Sequence, residues 1–302
     1  MLRLDEKKIR KGKPVGLPYV GSKKKVSKKI VQIIAQNFGT DKPVYDLFGG
    51  GGAISLELKL NGFKDVYYNE LDPLTFDAFK TALYGDFDVR DLILTREEFF
   101  NVRDINHDGF GELQLLVNSF GNDRKSYLYS KINADLKANL AKDIVFNEVN
   151  WRKYKQTKTY NNSQIEQLSQ IEQLSRVQQI ERVQQINNNL KISNDDYKRF
   201  GELKNTIIYL DPPYENATDE YKTGNFDSGE FYNWAYEMSK NNIVIISSYE
   251  VNDERFESVF DFTNARSTLN SNGYGNRTEK LFMVKEGIFN DWKSWKGCCT
   301  NT

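Results

Sequence analysis

The residues best suited to chemistry are Asp211-Pro212-Pro213-Tyr214, which follow the apolar run Thr206-Ile-Ile-Tyr-Leu210. Proline has no N–H and a fixed φ, so the pair makes a stiff, extended turn. That turn leaves backbone carbonyls outward as acceptors, notably that of Pro212. Asp211 sets a carboxylate acceptor beside them. Two acceptors on the hydrogens of an exocyclic amino group would concentrate electron density on its nitrogen for attack on a methyl sulfonium. Tyr214 can stack on a planar base, and a base in a duplex would have to be extruded to reach such a site. The competing reading is a purely structural turn.

A second group is Asp46-Leu-Phe-Gly-Gly-Gly-Gly-Ala53. Its glycines allow a tight turn between strand and helix and a close backbone approach to a ligand. Alone it is a weak signal, because glycine-rich turns also bind dinucleotides or simply pack. Glu70, about twenty residues beyond the glycines, is spaced to accept hydrogen bonds from ribose hydroxyls, the alternative being a solvated acid at a strand end.

The elements that must hold these groups read as an α/β chain. Pro43-Val-Tyr-Asp-Leu-Phe48 predicts a buried strand, Ile54 to Leu60 a helix ending at Asn61-Gly62, and Asp65-Val-Tyr-Tyr68 a second strand. Thr206–Leu210 and Ile243–Ser247 are apolar runs of the kind a parallel sheet buries on both faces. Residues from about 80 to 160 are mixed, polar and aromatic, with helical segments at Gly111–Val117 and Ile132–Ala141, and read as an insertion.

A hexapeptide repeat follows: Ser163-Gln-Ile-Glu-Gln-Leu168, Ser169 to Leu174, Ser175-Arg-Val-Gln-Gln-Ile180 and Glu181 to Ile186. Its apolar residues stand three apart, so on an α-helix the stripe falls about 60° short of a turn at each step and spirals. Gln and Glu favour an α-helix with a wandering stripe; a 3-10 helix, a small solenoid and low-complexity disorder compete. The repeat is expected to project from the core as a spacer or interaction surface.

Lys plus Arg and Asp plus Glu both number 42, so any nucleic-acid contact must rest on local clustering. Ten Lys and Arg residues with no acid lie between Lys7 and Lys29, a candidate phosphate-binding edge or a merely solvated surface. The two cysteines, Cys298 and Cys299, are adjacent, and His107 is the one histidine, a poor set for a disulfide or a His/Cys metal site. No run approaches membrane-spanning length, and a cytoplasmic protein that needs no metal is expected.

In the order and spacing of these motifs the chain resembles the Dam-like adenine-N6 DNA methyltransferases, especially those encoded by bacteria and their phages. Pro18-Tyr-Val-Gly-Ser-Lys23 looks like the family's Trp-Ala-Gly-Gly-Lys motif, with Tyr for Trp and Ser for Gly, and implies that Tyr19 and Lys23 flank cofactor and target. Asp46, Phe48, Gly49 and Gly51 match the cofactor loop, and Glu70 the ribose-binding acid. Asn194-Asp-Asp-Tyr197 resembles the acidic-aromatic motif, implying that Asp196 contacts the cofactor's adenine. Ile245-Ile-Ser-Ser248 and Asn276-Arg-Thr-Glu-Lys280 are similar to later core elements.

The resemblance implies a Rossmann-like S-adenosylmethionine-dependent methyltransferase core, at 1–80 and 191–302, with an inserted, mainly helical target-recognition domain at 81–160 and the repeat segment at 161–190. In the insertion Asn118, Asn122, Arg124 and Lys125 combine amide and cationic donors suited to base or phosphate contacts. A clear copy of the segment associated with GATC is missing, and the repeat is outside the core pattern. The implied reaction is methyl transfer from S-adenosyl-L-methionine to N6 of an adenine flipped out of double-stranded DNA, in a restriction-modification, phage or stand-alone setting, with Asp211, Pro212, Pro213 and Tyr214 catalytic and Asp211 also lining the cofactor. Rival readings are cytosine-N4 methylation, whose enzymes more often carry Ser for the Asp, methylation of RNA or protein, and a non-catalytic DNA-binding regulator.

Overall fold

A computed structural model describes residues 1–105, 108–131, 134–146, 172–186, 189–213, 226–266 and 278–285. Its centre is a seven-stranded sheet: β1 (Val44–Asp46), β2 (Val66–Asn69), β3 (Lys191–Ser193), β4 (Ile207–Leu210), β5 (Ile243–Ser248), β6 (Phe256–Arg266) and β7 (Thr278–Val284). The strand order is β3-β2-β1-β4-β5-β7-β6. The first five strands pair in parallel, with Val44 opposite Val66 and Ile207, and Ile207 opposite Ile243. β7 runs antiparallel between β5 and β6. This is a Rossmann-like α/β fold. Its order reverses between β1 and β4, and their carboxyl ends open the crevice where such sheets bind ligands.

The apolar runs become strands close to their expected limits. Glycine-rich residues 49–52 then turn the chain into helix α2 (Ala53–Leu60). α1 (Ser27–Phe38) packs beside α2, burying Ile30, Val31, Ile33 and Ile34. β3 is an edge strand of three residues, Lys191-Ile-Ser, too short and too polar to read as a strand from sequence. Period-two alternation places Val44, Asp46, Tyr209, Glu279, Leu281 and Met283 on the sides of their strands that meet the larger core, whereas Ile208, Leu210, Phe282 and Val284 line the smaller one.

Between β2 and β3 lie α3 (Pro73–Tyr84), α4 (Arg96–Asp104), α5 (Gly109–Asn118), α6 (Ala134–Phe146) and α7 (Glu172–Gln184). Asp72 caps α3 by accepting from Leu74 and Thr75 N–H, with Pro73 in the first turn. α4 opens on a Thr95/Glu98 capping box.

The repeat is α-helical over Glu172–Gln184, and its first units lie outside the described residues. It does not project there. Leu174, Val177, Ile180 and Val183 are buried in the same core as the sheet. Three steps of three residues turn the stripe through about 180°, so only a groove can cover it. α3, α5 and the turn Val89–Leu92 supply that groove. Among the described residues no helix is long and apolar enough to cross a membrane.

Candidate active site at the carboxyl ends of β1 and β4

Asp46, the last residue of β1, is almost fully buried. Its Oδ2 accepts from Ser55 Oγ at 2.7 Å, and its Oδ1 has no hydrogen-bond partner among the described residues. Burial pushes its carboxyl up to about 7, against the opposing Ser55 bond, with Asp211 and Glu70 adding to the rise. A buried carboxylate with one bare oxygen is costly unless something cationic or hydrogen-bonding meets it.

The glycines after Asp46 are needed by the protein's own rings. A Cβ at Gly49 would fall 2.2 Å from the Tyr68 ring and one at Gly52 2.0 Å from Phe79. At Gly51 it would meet Tyr19 Cβ at 2.8 Å. Gly50 and Gly52 also have positive φ. The loop is therefore walled by Tyr19, Tyr68 and Phe79, and Leu17 N–H donates to Gly51 O at 2.8 Å. Glu70 closes the far side, its Oε2 accepting from Gly50 N–H at 2.8 Å and its Oε1 from Asp72 N–H at 2.9 Å. Burial raises the Glu70 carboxyl.

Phe48 joins a ring cluster with Tyr197, Phe226 and Phe231. Asn69, at the end of β2, donates to Asp195 O at 2.8 Å and so ties the Asn194–Tyr197 segment to the crevice. Asp196 caps the turn Tyr197–Phe200 through Lys198 N–H at 2.9 Å.

Asp211 follows β4, with Pro212 buried and Pro213 half-buried; Tyr214 lies outside the described residues. Lys23, only 7% exposed, places Nζ 2.7 Å from Asp211 Oδ1 and 3.4 Å from Glu279 Oε2. Ser247 Oγ donates to Glu279 Oε1 at 2.8 Å. Burial raises the Asp211 carboxyl to about 6; Lys23 pulls it down, and Glu279 and Glu70 push it up. Burial opposes the charge on Lys23, but the two carboxylates outweigh it and hold the ammonium well above the usual lysine range.

The structure thus brings together Tyr19, Lys23, Asp46, Phe48, Gly49, Gly51, Glu70 and Asp211. Glu279 and Ser247 were missed. The available signal was parity: Glu279 shares its strand face with Leu281 and Met283, so an acid falls on a buried side.

The insertion corrects one expectation outright. Asn118 is fully buried, with Nδ2 donating to Leu92 O and Gln114 O and Oδ1 accepting from Leu94 N–H and Gln173 Nε2. Its amide is consumed in joining helices and cannot reach a base. Asn122 Nδ2 donates to Leu116 O at 2.8 Å. Arg124 pairs with Glu112 at 2.6 Å and Asp72 at 3.3 Å, and donates to Thr75 Oγ1 at 2.7 Å. Lys125 is exposed.

The basic N-terminal run is likewise part scaffold. Arg10 chelates Glu57 at 2.7 and 2.9 Å, and half-buried Lys24 donates to Leu17 O and to Gln179 Oε1. Burial, then Arg182 and Arg176, pulls Lys24 down to about 8. Among the described residues no cluster of three His, Cys, Asp or Glu side chains could hold a metal.

Comparison with known proteins agrees with this geometry at the level of family. The model described as "D12 class N6 adenine-specific DNA methyltransferase" matches residues 19–276. No curated protein matches. Solved structures that the chain matches include "Putative methyltransferase yhhF from Escherichia coli", at 11% identity and a TM-score of 0.34, covering 89% of this chain and 91% of that one. A second is the "putative methylase HI0767 from Haemophilus influenzae", at 10% identity and a TM-score of 0.31, covering 85% and 95%.

Proposed function

The chain belongs to the D12 class of N6 adenine-specific DNA methyltransferases, and we propose that it methylates adenine in double-stranded DNA with S-adenosyl-L-methionine held between Asp46 and Glu70. The observation that carries the reading is the pairing of a buried and a half-buried carboxylate at adjacent strand ends. Asp46 has one bare oxygen, and Asp211 stands beside the acceptor carbonyl of Pro212.

The residues fit the cofactor chemically. Asp46 Oδ1 is suited to the cofactor's ammonium group, and Glu70, Phe48 and Asp196 line the path for ribose and adenine. When bound, the cofactor supplies an electrophilic methyl group on a sulfonium. Asp211 and the Pro212 carbonyl accept the two N–H groups of the extruded adenine's amino nitrogen, aligning its electron pair. Pro213 stiffens the turn, and Tyr214 is proposed to stack on the base. With the cofactor bound, attack by that nitrogen on the methyl carbon would displace S-adenosylhomocysteine as the leaving group, and one amino proton would pass to solvent with or after transfer. Catalysis comes mainly from positioning and these acceptor bonds.

Residues 1–80 and 191–302 are read as the catalytic core and 81–160 as the recognition insertion, with Asn122, Arg124 and Lys125 toward DNA. Arg124 would exchange part of its ion pairing for phosphate or base on binding.

The test is to incubate the protein with labelled S-adenosylmethionine and duplex DNA of varied sequence, then identify the modified base. Label in N6-methyladenine is expected. Label in N4-methylcytosine or in protein, or DNA binding without transfer, would remove the proposal.

A further inference from the structure

Lys23 is one cation shared by the half-buried carboxylate of Asp211 and the buried one of Glu279. Its Nζ lies 2.7 Å from Asp211 and 3.4 Å from Glu279, whose side chain is 6% exposed. A lone Lys23–Asp211 pair would be neutral and would spend the aspartate's acceptor strength on the ammonium. With Glu279 present, two carboxylates share the Lys23 ammonium, so neither is neutralised by it alone.

We propose that Glu279 is a positioning residue for methyl transfer: it seats Lys23 from β7 and, by sharing that ammonium, leaves the charge of Asp211, the acceptor for the adenine amino group, less fully neutralised. This rests on the adenine-N6 reading above.

The placement is built. Ser247, on β5, donates to Glu279 Oε1 at 2.8 Å and fixes the carboxylate. β5 and β7 pair antiparallel with Ser247 opposite Leu281, so the serine and the glutamate are set by sheet register. An Asp211 carboxylate less fully neutralised by Lys23 accepts the amino hydrogens more strongly as positive charge develops on the nitrogen. Lys23 meanwhile keeps the aspartate ionised and oriented.

The groups acting on Asp211 are Lys23 from the N-terminal segment, Glu279 from β7, Glu70 from the end of β2, Asp46 from β1 and Tyr209 from β4. All but Lys23 are acids. Asp211 must be ionised to accept, so activity falls as pH drops through its value of about 6. Removing the like charge of Glu279 lowers that value, and the acid limb must move to lower pH.

The experiment measures kcat/KM against pH with duplex DNA for wild type, Glu279→Gln and Glu279→Asp, with binding of S-adenosylhomocysteine by calorimetry and thermal unfolding alongside. Glu279→Gln is expected to lower kcat about tenfold, less than loss of a direct acceptor, with the acid limb displaced by roughly one pH unit toward acid. Cofactor-product affinity should stay within about twofold, and Glu279→Asp should return the limb to its wild-type place.

A folded Glu279→Gln enzyme with wild-type kcat, or with an activity loss but an unmoved limb, overturns the proposal. Should Glu279→Gln fail to fold, Ser247→Ala keeps every charge and removes the serine's hydrogen bond to the carboxylate; a lower kcat with an unmoved limb is expected, and an unchanged kcat overturns the idea. A wild-type enzyme that leaves adenine unmethylated would instead overturn the underlying reading.

Discussion

The catalytic end of the sheet and the seam around Asn118 and Arg176 both bury polar groups, but they treat them in opposite ways. At the seam Asn118 and Arg176 are satisfied by the protein itself, and the Oε1 of their neighbour Gln173 is left without a hydrogen-bond partner among the described residues. Arg176 Nη1 donates to Leu116 O, Val117 O and Ser119 O, placing a cation on the carbonyl end of α5, and Asn118 spends its whole amide on neighbouring backbone and Gln173. At the sheet end Asp46 keeps a bare oxygen, and two carboxylates share one lysine. Buried polar groups that find partners inside the chain build scaffold; an ionisable group left short of partners at a strand end, as Asp46 is, points to a ligand.

The sharpest way to break this contrast is Asp211→Ala. Loss of a direct acceptor should cut transfer on the order of 10²–10³-fold while S-adenosylhomocysteine binding, followed by calorimetry, stays within about twofold. Comparable methylation by the variant would remove Asp211 from the mechanism. Lys23→Met comes next. It leaves half-buried Asp211 and buried Glu279 without their cation and should destabilise the fold by roughly 3–5 kcal/mol in urea unfolding. A near-neutral result would mean that the pair is solvated.

On the scaffold side, Asn118→Ala should cost about 1–3 kcal/mol and leave the salt dependence of DNA binding alone. Lys125→Ala should do the reverse: no measurable change in unfolding, weaker binding, and a log K against log salt slope reduced by about one. If Asn118→Ala altered that slope, the assignment of Asn118 to scaffold would fail.

A smaller effect separates ligand demand from stability. Asp46 and Asp211 have folded values raised to about 7 and 6, above the ordinary carboxylate range. Each therefore favours the fold in its protonated form, and that contribution is present at low pH and lost as pH rises from about 4 through 6 to 7. Asp46→Asn should remove part of this loss and raise the Tm of the ligand-free protein at pH 8 by on the order of a few degrees, while weakening cofactor binding. A lower Tm at pH 8 would show that Asp46 is not strained in the empty protein.

Much of the catalytic end was readable because it is contiguous. Asp211-Pro-Pro and Asp46 with its glycines announce themselves within a few residues, and the β1-α2-β2 unit follows from apolar runs punctuated by glycine. What was not readable acts across long separations. Glu279 meets Lys23 only because β7 inserts beside β5, and Arg176 reaches the end of α5 from the repeat. Asn118 was misjudged for a related reason: a polar residue after a helix looks like loop surface until another helix, α7, is laid over it. The glycine loop was placed well but explained incompletely, since its first neighbours are Tyr19, Tyr68 and Phe79.

The arrangement of α7 also bears on how the gene can change. The units Ser163–Leu168 and Ser169–Leu174 are identical, whereas the two that follow carry Arg176 and Arg182 in place of glutamine. Replication slippage that drops or adds one whole unit of six codons ahead of Ser175 restores the same Glu-Gln-Leu to the positions now held by Glu172, Gln173 and Leu174. Slippage through the arginine units would instead put the wrong side chain under α5. The tract therefore has one end at which a change of length leaves the side chains under α5 as they are and another at which it does not.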